Sequence, residues 1–361
     1  MPNYFSLKQA KNSARIISGL ERLRAQLDRE IPDRSLEKTL RLATWNIREF
    51  DSPAYGARTD DAFYFIAEIV SRFDLVAIQE VRRDLTALKT LLKHLGWHWK
   101  YVVTDTTEGV PGNNERLAFL YDTRKVQFTG LAGELVLPDV KDAQGKPVPA
   151  RQLVRTPFTA GFRSGWVELQ LATVHILYGE DKANDENRTA EIGNLAKFLA
   201  ERAQDPESAS PNLVLLGDFN IFDRTDATMT ALTDAGWKVP QELRDLPGSN
   251  VPQDKFYDQI AVLPIAHHFQ AAGPAGILDF YESVFRLEDQ KSYVAAMGPA
   301  YETTSSGSKR TEAGKKTYFK AFWRTFQMSD HLPMWIDLKI DYSQEYLDGV
   351  RAQAGDEPDN G

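Results

Sequence analysis

A chain of 361 residues, 42% of them hydrophobic, can bury a large core without help, while its formal net charge of -8 excludes a protein coated with basic surface for nucleic acid. With 0 Cys it can form neither disulfides nor thiolate metal sites, so any metal must rest on oxygen and imidazole donors, as hard ions do. No apolar run approaches the ~20 residues that span a bilayer, and the opening MPNYFSLKQAKNSAR lacks the apolar centre of a signal peptide, so a cytoplasmic protein without a membrane partner is expected.

Within residues 1–40, Ile16, Ile17, Leu20, Leu23 and Leu27 recur at helical spacing and predict an amphipathic helix ending before Pro32. This N-terminal extension is expected either to lie on the main domain or to serve self-association or a partner contact. Leu40 to Asn46 alternates as a strand and delivers the Asn46 amide at its end. Asp60 and Asp61 open a predicted helix. Leu75, Val76, Ala77 and Ile78 then form an unbroken apolar run, as in a strand buried on both faces, and it stops at Glu80. Leu85 to Leu95 reads as a helix closed by Gly96. Residues 97–105 and Arg116 to Tyr121 read as hairpin strands, and residues 138–151 as a loop. Phe158 to Phe162 and Trp166 to His175 are two further strands, the second ending on an imidazole.

Asp185 to Arg202 predicts an amphipathic helix, followed by the apolar run Leu213 to Leu216, which stops abruptly at Gly217. Period-two geometry places Asp218 and Asn220 on one side and Phe219 on the other, so a carboxylate and an amide project together from the rim of a sheet. A simple turn would favour the same residues. Asn46 and Glu80 also stand at strand ends, and that recurrence singles out all four. Phe256 to Val262 is a strand carrying Asp258, and Ser329-Asp330-His331 precedes a last strand from Met334. Residues 343–361, polar and acidic, are expected to be a disordered tail.

Taken in order, Trp45-Asn46, Gln79-Glu80, His175, Gly217-Asp218-Phe219-Asn220, Tyr257-Asp258-Gln259-Ile260 and Ser329-Asp330-His331 resemble the endonuclease/exonuclease/phosphatase superfamily. Within it the pancreatic-type deoxyribonuclease branch is the most similar. The resemblance implies an α+β fold over residues 41–342: a four-layer α/β/β/α sandwich of two packed mixed β-sheets flanked by helices, with the site at one end of the sheets. Asn114 to Tyr121 is similar to the family segment whose glutamate, here Glu115, orients the first catalytic histidine. Asp258 matches the aspartate that orients the second, Arg155 a phosphate-contacting arginine, and Arg82 an arginine that contacts DNA. Asn113 stands where the family has a tyrosine that packs against DNA, the family's disulfides are impossible here, and residues 1–40 have no counterpart.

Phosphodiester hydrolysis requires a polarised phosphorus, an activated water, and a proton or positive charge for the leaving oxygen. Asn46, Glu80 and Asp330 offer oxygen ligands for Mg2+ or Mn2+, with Ca2+ as a further candidate. Asp218 and Asn220 could hold a second ion or orient phosphate and water. His175 and His331 can divide the acid and base roles, each backed by its own carboxylate, with His331 as base by resemblance. Lys309, Arg310, Lys315 and Lys316 lie in a stretch read as a basic loop upstream of Ser329, a candidate clamp for a polyanion whose rival is an ordinary solvated loop. The expected function is that of a divalent-metal-dependent endonuclease acting on DNA. Its alternatives are a phosphatase or phospholipase-like hydrolase of inositol phosphates or sphingomyelin, and a binding module with a dead site.

Overall fold

Alternation along the first strand builds two different faces. In β1 (Thr39–Phe50), Leu40 and Leu42 enter one apolar cluster, while Ala43, Trp45 and Ile47 enter another. The same split recurs in β2 (Leu75–Arg82), where Leu75 and Ala77 part from Val76 and Ile78. The structure, a computed structural model, describes residues 2–50, 52, 54–107, 114–205, 212–263 and 269–354.

Further along the chain come β3 (Trp99–Val103), β4 (Glu115–Asp122), β5 (Gln127–Glu134) and a short ribbon of β6 (Val140–Lys141) with β7 (Pro147–Val148). They are followed by β8 (Phe158–Ser164), β9 (Val167–His175), β10 (Leu213–Asp218), β11 (Asp258–Val262), β12 (Ala271–Ile277) and β13 (Met334–Lys339). One sheet has the order β12-β13-β1-β2-β4-β3 and the other β11-β10-β9-β8-β5. Both are mixed: β1 runs parallel to β2, and β10 parallel to β9, while the remaining neighbours are antiparallel.

Between the sheets, Leu42, Ala77, Phe119 and Ile336 of the first pack with Phe162, Leu171 and Leu216 of the second. The outer face of the first sheet is covered by α1 (Ser13–Glu30), α2 (Asp60–Val70) and α3 (Thr86–Leu95). The outer face of the second is covered by α4 (Glu186–Ala203) and α5 (Ala227–Asp234). The result is the four-layer α/β/β/α sandwich implied by the resemblance.

The apolar stripe of α1 is spent inside this domain. Ile16, Leu20, Leu23 and Leu27 are buried, each such side chain contributing about 1.5–3 kcal/mol, whereas Ile17 is exposed. At Gly19 the ring of Phe65 comes so close that a Cβ would stand 2.4 Å from it, so glycine lets α1 settle onto α2. Arg15 reinforces the seam with a two-pronged contact to Asp61 at 2.7 and 3.1 Å. Residues 13–30 are therefore part of the outer layer rather than a separate arm.

Two other expectations change. Ser343–Ala354 is helical rather than disordered, with residues 355–361 outside the described range. The basic stretch is a loop only at its start: residues 308–311, with Lys309 and Arg310, precede the helix, whereas Glu312–Thr317 is α-helical, Tyr318–Trp323 forms a π-helical turn and Arg324–Gln327 completes the segment. Thr311 caps its start by accepting from the Gly314 N–H, a signal present in the sequence as Thr-Glu-Ala-Gly.

Candidate active site

The two parallel strand pairs end at the same edge of the sandwich. Asn46 stands opposite Gln79 across β1 and β2, and Asp218 stands opposite both His175 and Asp258 across β9, β10 and β11. Pairing of β1 with β2 skips from Asn46 to Phe50, and pairing of β2 with β4 skips from Ile78 to Val81. Glu80 lies in that bulge with a left-handed φ of 60°, which turns it out of the ladder. Its carboxylate accepts from the Asn46 side chain at 2.9 Å and from the Glu49 N–H at 2.6 Å. Gln79 instead points between the sheets, where it bonds Thr44 at 3.2 Å and Thr173 of the second sheet at 2.9 Å.

On the other sheet, Gly217 has a φ of 134°, and a Cβ there would meet the Val174 carbonyl at 2.2 Å, so only glycine lets β10 end as it does. Asn220 follows in a left-handed turn with φ 53°. It thus reaches the same side as Asp218 through a turn rather than through strand alternation. Its amide donates to the Ile176 carbonyl at 2.8 Å, and its N–H to Asp218 Oδ1 at 2.9 Å.

Asp218 is the hub. Its Oδ2 accepts from Asn46 Nδ2 at 2.9 Å and lies 3.6 Å from Nε2 of both His175 and His331. Behind the rings, His175 Nδ1 is 2.9 Å from Glu115 and His331 Nδ1 is 2.8 Å from Asp258. Both carboxylates are buried, so each fixes its ring and leaves Nε2 facing the centre. Ser329 ties the third motif to the first: its hydroxyl donates to the Asn46 carbonyl at 2.6 Å and accepts from the His331 N–H at 3.0 Å. Trp45 adds an indole bond to the His331 carbonyl at 3.0 Å.

Electrostatics follow from this packing. Burial alone would lower the basicity of His331, but Asp258, Asp218 and Asp330 outweigh it and hold the imidazole well above its usual pKa. His175 is also raised: burial and the neighbouring Arg155 oppose the charge, and Glu115 with Asp218 prevails. The Glu80 carboxyl is pushed up by burial and by the nearby acids Glu115 and Asp330, against the pull of His175 and the Glu49 N–H.

These groups floor a cleft of about 760 Å³. Glu80, Arg82, Glu115, Arg155, His175, Asp218, Asn220, Asp330 and His331 all line it, with Asn46 and Asp258 buried just behind. Lys309, Arg310, Lys315 and Lys316 do not. Lys315 is engaged by Glu302 at 2.8 Å and Glu312 at 3.1 Å, and Arg310 bonds the Ala300 carbonyl at 2.9 Å. Asn113 lies outside the described residues. Arg48, Glu49 and Tyr178 line the cleft without having been singled out from sequence. The charged pair Arg48-Glu49, just beyond Asn46 in the same strand, was the available signal for the first two.

The donor set suits an ion that keeps part of its water. Among the described residues no three His, Asp or Glu side chains form a ready-made cage. Asn46 Oδ1, however, is buried with no hydrogen-bond partner, beside a Glu80 carboxyl already crowded by other acids. One or two carboxylates plus an amide suit a hard divalent ion that completes its shell with water.

A model of the Endonuclease/Exonuclease/phosphatase family matches residues 43–328. No curated protein matches the chain. An endonuclease/exonuclease/phosphatase family protein from Bacteroides thetaiotaomicron is similar in structure at 18% identity, with 84% of this chain and 98% of that one covered and a TM-score of 0.52. The mannosyl-6-phosphatase of Bacteroides thetaiotaomicron VPI-5482 is similar at 18% identity, 83% and 99% coverage and a TM-score of 0.51. The catalytic domain of human Nocturnin with bound sulfate is similar at 12% identity, 83% and 93% coverage and a TM-score of 0.50. At these identities the likeness is one of fold.

Proposed function

The chain belongs to the endonuclease/exonuclease/phosphatase family, and on that footing we propose that it is a divalent-metal-dependent phosphodiesterase that hydrolyses DNA strands by attack of water. The observation that carries this function is the convergence of two imidazoles, each backed by its own buried carboxylate, on one oxygen of Asp218.

Asn46, Glu80, Asp330 and Asp218 would hold the metal, with Mg2+ or Mn2+ favoured by the donor set. When bound, the ion would polarise a non-bridging phosphate oxygen and offset the acids that raise His331. His331, oriented by Asp258, takes a proton from the attacking water at Nε2. His175, oriented by Glu115, gives a proton to the leaving oxygen from its own Nε2. Arg155 lies 2.8 Å from Glu115, and its Nη1 is buried without a hydrogen-bond partner, a donor available to a phosphate oxygen. Asn220, fixed through its amide and N–H, presents a rigid edge to the same space.

A diester suits this cleft better than a monoester. Its arginines face acids, Arg48 with Asp330 at 3.5 Å, Arg82 with Glu49 at 4.0 Å and Arg155 with Glu115 at 2.8 Å, which leaves little surplus positive charge for a phosphate dianion. A panel of supercoiled plasmid, single-stranded DNA, RNA, inositol phosphates, mannose 6-phosphate and sphingomyelin with Mg2+ or Mn2+ tests the function. Cleavage of DNA strands is the expected outcome. Turnover of a phosphomonoester or of sphingomyelin with no polynucleotide cut would overturn it.

A further inference from the structure

Behind the wall of the catalytic cleft, a row of packed side chains leads from Arg48 to a second cavity. Arg48, on the cleft wall, places its guanidinium carbon 4.3 Å from the centre of the Phe326 ring. Phe326 packs on Tyr55 with ring centroids 4.2 Å apart. Tyr55 then meets Phe322 at 6.1 Å in a stacked arrangement and Tyr318 at 6.3 Å. Beyond Tyr55 opens a cavity of about 750 Å³ bordered by Tyr55, Tyr318, Phe322, Pro299 and Arg310. Arg310 closes the row with its guanidinium 4.6 Å from the Tyr318 ring centre.

The backbone explains why these rings share a side. Tyr318–Trp323 is the π-helical turn, and such turns interrupt a helix and commonly mark functional sites. Phe319 and Trp323 are fully buried in the core over the first sheet, while Tyr318 and Phe322 border the cavity with Tyr55. Phe322 is 42% exposed, a large apolar ring held in water at the border of the cavity that Arg310 also lines. Core packing accounts for Phe319 and Trp323 but not for Phe322. Among the described residues bordering the cavity Arg310 is the charged one, and it carries a single positive charge next to flat aromatic surface.

We propose that this aromatic shelf is a stacking subsite for a nucleobase of a single-stranded polynucleotide whose scissile phosphate occupies the catalytic cleft. The proposal rests on the nuclease function proposed above. Every base offers a π-face, so stacking on Tyr55 and Phe322 holds the strand without reading its sequence, and Arg310 supplies a partner for the backbone or a cation–π contact. It also gives an acidic protein a means of holding a polyanion that does not depend on a broad basic surface.

Steady-state cleavage by the full chain with Mg2+ tests this on three substrates: a labelled single strand, the same strand with abasic spacers around the cleaved bond, and bis(p-nitrophenyl) phosphate. Phe322→Ala is expected to raise KM for the base-bearing strand on the order of ten-fold. It should leave kcat and bis(p-nitrophenyl) phosphate hydrolysis unchanged, and should abolish the wild-type preference for the base-bearing over the abasic strand. Phe322→Trp should restore wild-type KM. Equal KM values for Phe322→Ala and wild type, or an equal loss on the abasic strand, would overturn the subsite. Hydrolysis of bis(p-nitrophenyl) phosphate by the wild type with no cleavage of either strand would instead overturn the nuclease function, and the subsite with it.

Discussion

Asp218 is the residue on which the two halves of the site meet, since one of its oxygens faces both imidazoles and the Asn46 amide. Because the proposed mechanism has His175 and His331 act on the same phosphoryl transfer, His175→Ala and His331→Ala are each expected to lower kcat by about 10²–10⁴-fold, with the double variant little slower than either alone. Multiplying losses would mean that the two rings work independently. Asp258→Asn should be milder and should act on the pH profile. The carboxylate raises the His331 pKa, so its removal lets the imidazolium lose its proton at lower pH, and the limb of the kcat profile that follows this ionisation should move to more acidic values. A limb left in place would separate Asp258 from that ionisation. Asn46, Glu80, His175 and Asp218 were legible in the sequence because each closes or follows an apolar strand. Asn220 and Glu80 reach the cleft through left-handed turns, which no alternation pattern announces. Arg48, Glu49 and Tyr178 sit where the chain has left the ladder or a strand has just ended, so their direction was unreadable.

At the scale of elements, β1 is pinned to β13 by a buried pair. Arg41 and Asp337 face each other in register and join through two contacts of 2.7 Å, with Arg41 also donating to the Pro32 carbonyl at 2.8 Å. Asp337→Ala would strand that guanidinium in the interior and is expected to cost about 3–5 kcal/mol by chemical denaturation. A loss below 1 kcal/mol would show that water reaches the pair. Strands buried on both faces, such as β2 and β10, were legible as continuous apolar runs. In the two main sheets β5 and β12 went unread, and both are sheet edges, while the β6–β7 ribbon lies within residues 138–151, read as a loop. β5 is largely exposed, and β12 is Ala-Ala-Gly-Pro-Ala-Gly-Ile, where proline is tolerated because an edge N–H need not pair and Gly276 makes room for Trp335. The helix Ser343–Ala354 was hidden by its polarity: it is short of apolar residues, yet Tyr346 still finds Trp166, with ring centroids 5.5 Å apart.

For the whole molecule, the proposed function requires two sheets held at a fixed separation, because Asn46 and Glu80 belong to one and His175, Asp218 and Asp258 to the other. The buried link from Gln79 to Thr173 at 2.9 Å spans that gap one layer below the site, and Asn46 to Asp218 at 2.9 Å with His331 to Asp258 at 2.8 Å closes it at the site itself. The N-terminal helix stiffens the outer layer, and no helix among the described residues is long and apolar enough to cross a membrane. The most direct test is hydrolysis of bis(p-nitrophenyl) phosphate by wild type and Asp218→Asn, with Mg2+, with Mn2+ and with EDTA, alongside thermal unfolding of both proteins. A metal-dependent site hinged on Asp218 predicts activity that vanishes in EDTA and returns with either ion, and an Asp218→Asn rate lower by at least about 10²–10³-fold without loss of the cooperative transition. Undiminished hydrolysis in EDTA, or a folded Asp218→Asn protein turning over at the wild-type rate, would contradict it.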